Sequence, residues 1–489
     1  MDYRQLSRFL GSLLLMLAAS MLGCLAYAVY DQEPRFAADR ALGLSALITA
    51  AVGGMLRWFG HGSSLEILRR EAIAIVGLGW TLSTLFGALP YMLSMPSLAP
   101  AAAIFESASG FTTTGSSAIA DVEIWPRGLL LWRATTQWLG GMGILVLFVA
   151  VLSMAGGGGT KSLFRRESSG QLGEGFAARM RDTAIRLWQI YLALSLVCFA
   201  GLVVLGMPVF DAVCHTFATI STGGFSTRNA SIGFYQSPAM EWWIILFMIL
   251  GAISFMLYAW LVARRWSKWK QDEETRFYLG ILTVVTLAVT ASLLYNSQAP
   301  DTSTALRDAA FTVVSISSTT GFVTADYDQW SNFSRILIVA VMFIGGCAGS
   351  TAGGIKVSRL MVFFKNFARQ MVHAFRPNQI IPVRINGVPL TDGYLADVGF
   401  FLALVGFIVA LGSLAMAALE PSFDLVSGFG AVIANLFNTG PGLGAVGPTC
   451  TYAGLSPPSH ILLSLLMIMG RLEILVMLAL FVPALWRRY

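Results

Sequence analysis

Thr113-Thr114-Gly115-Ser116, Ser221-Thr222-Gly223-Gly224, Thr319-Thr320-Gly321-Phe322 and Asn438-Thr439-Gly440-Pro441 hold the only Thr-Gly pairs in this chain of 489 residues. Their glycines stand 108, 98 and 119 residues apart, one in each quarter of the sequence. Each pair closes a short apolar segment: 101–111, 209–220, 305–318 and 423–437. An internal repeat of this kind constrains the fold before any local signal does. One reading of four such strands is a four-part ion filter, because a cation leaving water needs oxygen ligands and rings of backbone carbonyls supply them. Aiming successive carbonyls at one axis needs φ > 0 at some residues, which glycine adopts without steric cost. The alternative is a set of Gly-rich turns, since Thr-Gly is a common turn pair.

Composition places these strands in a membrane. The chain is 56% hydrophobic and 12% charged, which reads as an integral membrane protein. Long uncharged runs such as 9–30, 187–210 and 398–419 each suffice for one spanning helix, at roughly 20 residues per crossing. Ten spanning helices are expected, over 9–30, 41–57, 72–95, 129–154, 187–207, 242–263, 277–297, 336–371, 398–419 and 459–486. The first is read as an uncleaved helix, because its apolar run continues past the faint lipoprotein-like Gly23-Cys24 and exceeds a signal-peptide core.

Placing both termini and alternate loops on one side puts 24 of the 32 basic residues there. That side includes Lys161, Arg165, Arg166, Lys268, Lys270, Arg369, Arg376, Arg487 and Arg488. By the positive-inside rule it is cytoplasmic. The net charge of +6 is then a membrane signature, not a nucleic-acid one. All four Thr-Gly stretches fall on the opposite side, each between two spanning helices. Segments of ten to fifteen residues are too short to cross and suit re-entrant helices, whose irregular backbone must line a cavity or be buried in protein.

Further residues carry a family resemblance. They are Trp132-Arg133-Ala134-Thr135-Thr136-Gln137-Trp138-Leu139-Gly140-Gly141-Met142-Gly143, Gly223-Gly224-Phe225-Ser226-Thr227, Gly345-Gly346-Cys347-Ala348-Gly349-Ser350-Thr351-Ala352-Gly353-Gly354-Ile355-Lys356 and Gly470-Arg471-Leu472-Glu473. With the four Thr-Gly stretches, they make the chain resemble the Trk/Ktr/HKT superfamily of potassium transporters from about Arg70 to the C-terminus, and most of all its bacterial Trk branch. The resemblance implies an all-α polytopic membrane protein whose last eight spanning helices form four helix–pore helix–helix repeats around a single pore. The expected division is 1–70 for two N-terminal helices, then repeats over 71–160, 161–265, 266–385 and 386–489.

The resemblance also implies roles. Glycine at position 115 goes with potassium rather than sodium, and Gly223, Gly321 and Gly440 agree. In the fourth stretch Pro441 follows the glycine, and proline stiffens the backbone and removes a donor. The stretch 345–354 holds five glycines in ten residues. Close helix packing is one reading; an intramembrane gating loop formed by Gly345, Gly346, Gly349, Ser350, Thr351, Gly353 and Gly354 is the one the resemblance implies. Arg471 follows 46 uncharged residues, where an ionisable side chain is costly and functional by default. Its partner is expected to be Glu473 or a carbonyl of the gating loop, and two residues on a helix do not share a face. The family role is a barrier to cations beneath the filter.

Other chemistry is weakly supported. Glu106, Arg133 and Gln137 read as buried bonding behind the filter. His61, His215, His373 and His460 are dispersed, and Cys24, Cys198, Cys214, Cys347 and Cys450 lack ligand spacing, so no transition-metal site is expected and the cysteines read as apolar packing. Gly156–Ser162 lacks the strand and the glycine before lysine of a phosphate loop. No bound cofactor is expected; potassium is the substrate. The partners implied are the lipid bilayer, a second copy in a homodimer and a separate cytoplasmic nucleotide-binding ring. The expected location is the bacterial cytoplasmic (inner) membrane. A polytopic enzyme would cluster His, Asp or Glu at one face. A sodium- or proton-coupled symporter would show broken helices in matching halves, whereas one break, at 345–354, is expected here.

Overall fold

The computed structural model describes residues 1–31, 37–62, 69–154 and 174–486. The Gly156–Ser162 stretch, the basic residues Lys161, Arg165 and Arg166, and Arg487 and Arg488 lie outside the described residues.

Two long helices, Tyr3–Asp31 and Ala37–Phe59, come first. They pack closely because small residues let the backbones meet. A Cβ on Gly11 would stand 2.6 Å from the Gly53 carbonyl, and one on Gly60 would stand 2.6 Å from the Arg8 amide. Four sets of helices follow, each with a leading helix, a short helix and a return helix. The leading helices are Arg69–Gly87, Glu174–Val204, Glu273–Tyr295 and Asp392–Leu419. The short helices are Pro100–Phe111, Val209–Ile220, Thr302–Ser317 and Leu425–Leu436.

Local chemistry sets their starts. Pro100 opens the first short helix, as Pro238 and Pro457 open two return helices, and proline at the first position removes an amide that has no helical partner anyway. Asp301 caps Ser303 and Thr304, and Asp424 caps Ser427, each filling orphan amides at a helix N-terminus. Hydrogen bonds from Thr304 and Ser303, and from Ser427, hold these two exposed carboxyls below the usual carboxylate range.

The return helix of the first set runs unbroken over Arg127–Met154. The others break. Pro238–Ala252 and Phe255–Val262 meet at 90°. Asn332–Met342 and Val357–Phe375 flank the glycine-rich stretch. Pro457–Arg471 stops before Glu473 and Ile474, both with φ of 58°. The single break expected from the sequence is therefore three, all at the same stage of the set. Tertiary partners make the unforeseen break in the second set. Cys347 donates its amide to the Ala252 carbonyl at 2.8 Å, and the Phe255 amide donates to Gly349 at 3.0 Å, so the third set satisfies backbone groups that the bend frees.

Six described helices are long and apolar enough to cross a membrane, or seven if the bent pair is one span. The protein is a mostly helical, membrane-type chain. Of the cysteines, Cys24, Cys198, Cys214 and Cys347 are buried and Cys450 is exposed, which corrects the packing role for the last.

Three of the four short helices end against a glycine of their return helix. A Cβ on Gly140 would collide with the Phe111 carbonyl, and one on Gly470 with the Leu436 carbonyl; one on Gly251 would lie 3.4 Å from the Ile220 carbonyl. These carbonyls belong to the last residues of the first, fourth and second short helices. Glycine on the return helix thus lets it press on the C-terminal end of its own short helix.

Candidate functional site at the ends of the short helices

Beyond each short helix the backbone follows one course four times. A capping residue (Thr112, Ser221, Ser318 or Phe437) comes first. Then Thr113, Thr222, Thr319 and Asn438 take φ of 53°, 54°, 57° and 56°. Two residues later, Gly115, Gly224, Gly321 and Gly440 take φ of 88°, 77°, 77° and 96°. The residues between them are Thr114, Gly223, Thr320 and Thr439. Their amides donate to Ser109, Ala218, Ser315 and Ala434 at 2.7–2.9 Å. A β-branched threonine in the left-handed region is a genuine outlier, costing on the order of 1–2 kcal/mol. Strain that recurs at equivalent positions is characteristic of functional backbone.

This register differs from the one drawn by the Thr-Gly pairs. In the second set the left-handed glycine is Gly224, and Gly223 occupies the position of Thr114, Thr320 and Thr439. The Ser221-Thr222-Gly223-Gly224 stretch belongs to the site, but its Thr-Gly pair is one residue out of step.

The four segments close on each other. A Cβ on Gly115 would stand 2.5 Å from the Gly223 carbonyl oxygen, and one on Gly440 would stand 2.6 Å from that of Thr114. One on Gly224 would collide with the Thr320 carbonyl, and one on Gly321 with that of Thr439. Each glycine therefore faces the middle carbonyl of the next set, and the fourth returns to the first. A closed circuit of four carbonyl-bearing segments has the chemistry to replace the hydration shell of a bare cation.

Side chains brace the circuit differently in each set. Asn438 Nδ2 donates to Thr114 Oγ1 at 2.9 Å, and Ser116 Oγ reaches Asn435 Oδ1 at 2.9 Å and the Gly440 carbonyl at 3.0 Å. Tyr452 donates its hydroxyl to the Gly440 carbonyl at 2.9 Å. Ser315 Oγ donates to the Phe322 carbonyl at 2.7 Å. Pro441 packs its Cδ beside Gly321, 2.8 Å from where a Cβ would be. Behind the first two segments, buried Arg133 pairs with buried Glu106 at 2.5 Å. It also donates to the Ser226 carbonyl at 2.9 Å and lies 3.6 Å from the Phe225 ring centre. Glu106 accepts the Ala118 amide at 2.7 Å. Each charge thus has the other and a backbone group as partners, as a buried pair requires.

The glycine-rich stretch lies directly against the circuit. Thr351 Oγ1 donates to the Ile220 and Gly251 carbonyls, both at 3.0 Å, and lies 3.4 Å from Thr222 Oγ1. The Gly353 amide donates to Thr319 Oγ1 at 2.6 Å. Gly349 and Gly354 have φ of 73° and 66°. Gly345 and Gly346 instead let backbones approach: a Cβ on Gly346 would meet the Ala252 carbonyl at 2.7 Å, and one on Gly345 would collide with that of Gly353. Ser350 Oγ donates to the Cys347 carbonyl at 2.6 Å. Arg471 Nη1 donates to the Thr351 carbonyl at 2.7 Å, while its Nε and Nη2 are buried without partners. Glu473 pairs instead with Arg359 at 2.5 Å. Lys356 turns its Nζ back to the Ala352 carbonyl.

Sequence reasoning alone misses Glu274. Its Oε1 accepts the amides of Ala348 at 2.7 Å and Ser358 at 3.0 Å, tying the glycine-rich stretch and the first turn of the helix after it to the third leading helix. In sequence it is one of three acids in Asp272-Glu273-Glu274, which read as ordinary helix-start charges. Among the described residues no group of three or more His, Cys, Asp or Glu is placed to hold a metal ion.

A family model described as the TrkH cation transport protein matches residues 42–488. The Trk system potassium uptake protein TrkH of Salmonella typhimurium is 36% identical over 495 residues, covering 100% of both chains. TrkI of the Trk system of Halomonas elongata is 33% identical, covering 98% of this chain and 96% of its own. The crystal structure of the potassium transporter TrkH from Vibrio parahaemolyticus matches with a TM-score of 0.91 and 32% identity, over 100% of both chains. The chain belongs to the TrkH family of cation transport proteins.

Proposed function

We propose that this member of the TrkH family takes up potassium across the bacterial cytoplasmic membrane, through one channel-like pore per chain. The observation that carries the reading is the closed circuit of Thr114, Gly223, Thr320 and Thr439 carbonyls against Gly440, Gly115, Gly224 and Gly321. In this reading the four stretches 113–116, 221–224, 319–322 and 438–441 are the filter. The short helices are pore helices whose C-terminal ends favour a cation through their dipoles. Ten spans place both termini in the cytoplasm, and the last eight make four pore repeats. Residues 345–354 gate conduction below the filter, and the Arg471 guanidinium holds a fixed positive charge there as a barrier. The names of the relatives, Trk system potassium uptake proteins, support potassium as the ion.

A dimer of two such chains and a cytoplasmic nucleotide-binding ring complete the proposal. Coupled sodium or proton symport is the competing mechanism. Three broken return helices remove helix breaks as an argument against it, so passive conduction rests on the four-fold circuit. Flux into liposomes with defined gradients decides. Potassium and rubidium should pass with no sodium or proton gradient, and Gly115→Ser should weaken discrimination against sodium. Selectivity unchanged in Gly115→Ser would refute the filter, and flux that stops without a second gradient would establish symport. Co-purification with the cognate ring, followed by flux with ATP, ADP or NADH, tests regulation; flux blind to all three would remove the ring from the proposal.

A further inference from the structure

The middle position of the circuit is threonine in three sets and glycine in the second. Backbone conformation does not demand glycine there, because Gly223, unlike Gly224, is not in the left-handed region. Space does. A Cβ on Gly223 would stand 2.5 Å from Gln137 Cδ, 2.7 Å from its Oε1 and 2.8 Å from its Nε2. The Gln137 amide, fully buried on the first return helix, occupies the room that a threonine side chain would take at position 223.

It also satisfies the segment on both sides of the left-handed glycine. Gln137 Nε2 donates to the Gly223 carbonyl at 2.5 Å, and Gln137 Oε1 accepts the Phe225 amide at 3.1 Å. The same Gly223 carbonyl faces Gly115 of the first set. Two consecutive glycines make this the segment with the most conformational freedom of the four. One side chain therefore fixes the carbonyl before Gly224 and the amide after it.

We infer that Gln137 is a specificity-determining positioning residue, an external brace that replaces a side chain missing from the second filter segment and sets the direction of the Gly223 carbonyl. The inference rests on the filter reading and adds a residue that contacts no ion itself. Buried amides and carbonyls left without partners relax until they find new ones. A relaxed Gly223 carbonyl distorts one quarter of the ring, and cavity size and ligand field on that side change with it.

The test is a permeability ratio of potassium to sodium in liposomes, with Gln137→Leu, Gln137→Glu, Gly223→Thr and the double variant Gln137→Ala with Gly223→Thr. Gln137→Leu keeps bulk and loses both hydrogen bonds; Gln137→Glu keeps the acceptor for Phe225 and loses the donor to Gly223. Each should lower the ratio by about five- to ten-fold, the scale of one lost buried hydrogen bond, while total cation flux persists. Gly223→Thr alone should lower it too, by displacing the Gln137 amide. The double variant should recover much of the wild-type ratio, because the threonine then fills the vacated space as it does in the other three sets. Gly115→Ser serves as the filter control. A changed ratio in Gly115→Ser with wild-type ratios in both Gln137 single variants overturns the inference and leaves the filter standing. Unchanged ratios in all variants overturn the filter itself. Membrane abundance and thermal stability of each variant separate misfolding from altered selectivity: a Gln137 variant that loses stability but keeps its ratio when folded also overturns the inference.

Discussion

Replacing Gly224 with alanine tests the register that the structure imposes on the second segment. At φ of 77° a residue with a Cβ costs roughly 1–2 kcal/mol more than glycine. The added methyl also lands on the Thr320 carbonyl oxygen and stands 2.9 Å from its carbon, and relieving such overpacking costs typically about 1–3 kcal/mol. The combined strain is about 2–5 kcal/mol, and the group that must move to relieve it is itself a member of the carbonyl circuit.

Gly223→Ala carries no left-handed penalty, and the atoms nearest its methyl are the end of the Gln137 side chain, which gives way more readily than a backbone carbonyl. The expected order of damage is therefore Gly224→Ala well above Gly223→Ala. Equating the four Thr-Gly pairs gives the opposite order, with Gly223 as the partner of Gly115. The assay is growth on limiting potassium in a bacterial strain without its own uptake systems, followed by flux in liposomes, with membrane abundance measured for each variant. Gly406→Ala is the control, in a leading helix with nothing within 4 Å of the new methyl; there alanine favours the helix by roughly 0.5–1 kcal/mol. Normal transport by Gly224→Ala beside an inactive but well-inserted Gly223→Ala would refute the reasoning.

Two further outcomes test the proposed gate. Arg471→Gln removes the buried charge that donates to Thr351 and should raise potassium flux several-fold, while Arg471→Lys keeps a cation and should stay near wild type; equal flux in all three would dismiss the barrier. Glu274→Ala leaves the Ala348 and Ser358 amides without their acceptor, at roughly 1–3 kcal/mol each. It should raise open probability in single-channel recordings at unchanged selectivity, and wild-type gating would assign Glu274 a packing role alone.

What is legible in the sequence is local. Glycine is readable where backbone geometry demands it, so the four Thr-Gly stretches and the doublets of 345–354 mark irregular backbone by residue type alone. Where two glycines adjoin, as at 223 and 224, sequence offers both and only the neighbouring sets decide which is left-handed. The breaks at Ile253-Ser254 and at Glu473-Ile474 hold no Gly or Pro themselves, and the lone Gly251 and Gly470 before them lie within helices. The first exists because the third set supplies hydrogen bonds from Cys347 and to Gly349, groups about 100 residues away in the chain. Arg471 is readable as a costly charge. Its partner stays open in the sequence between Glu473 and a carbonyl, and Glu473 is occupied by Arg359, 114 residues distant. Glu274 is hidden among helix-start acids because its two partners, Ala348 in the glycine-rich loop and Ser358 at the start of the helix after it, are placed by a loop whose path no periodicity describes.

What repeats and what varies among the four sets separates the demand of the site from the means of meeting it. The pair of left-handed residues, separated by one residue, recurs in all four sets, and so does the contact of glycine with the next set's carbonyl. The side chains do not recur: Asn438 stands where three threonines stand, Gly223 replaces threonine, and Ser116, Phe225, Phe322 and Pro441 follow the four glycines. Had side chains been the ligands, the strained backbone could have relaxed while donor atoms were kept. The chain instead keeps the strain, at three β-branched residues and an asparagine, and lets the side chains diverge into braces peculiar to each set. The proposed filter, carried by main-chain oxygens, requires that combination, and in the same reading Gly223 matters through the direction of its carbonyl, while its missing side chain leaves room for Gln137.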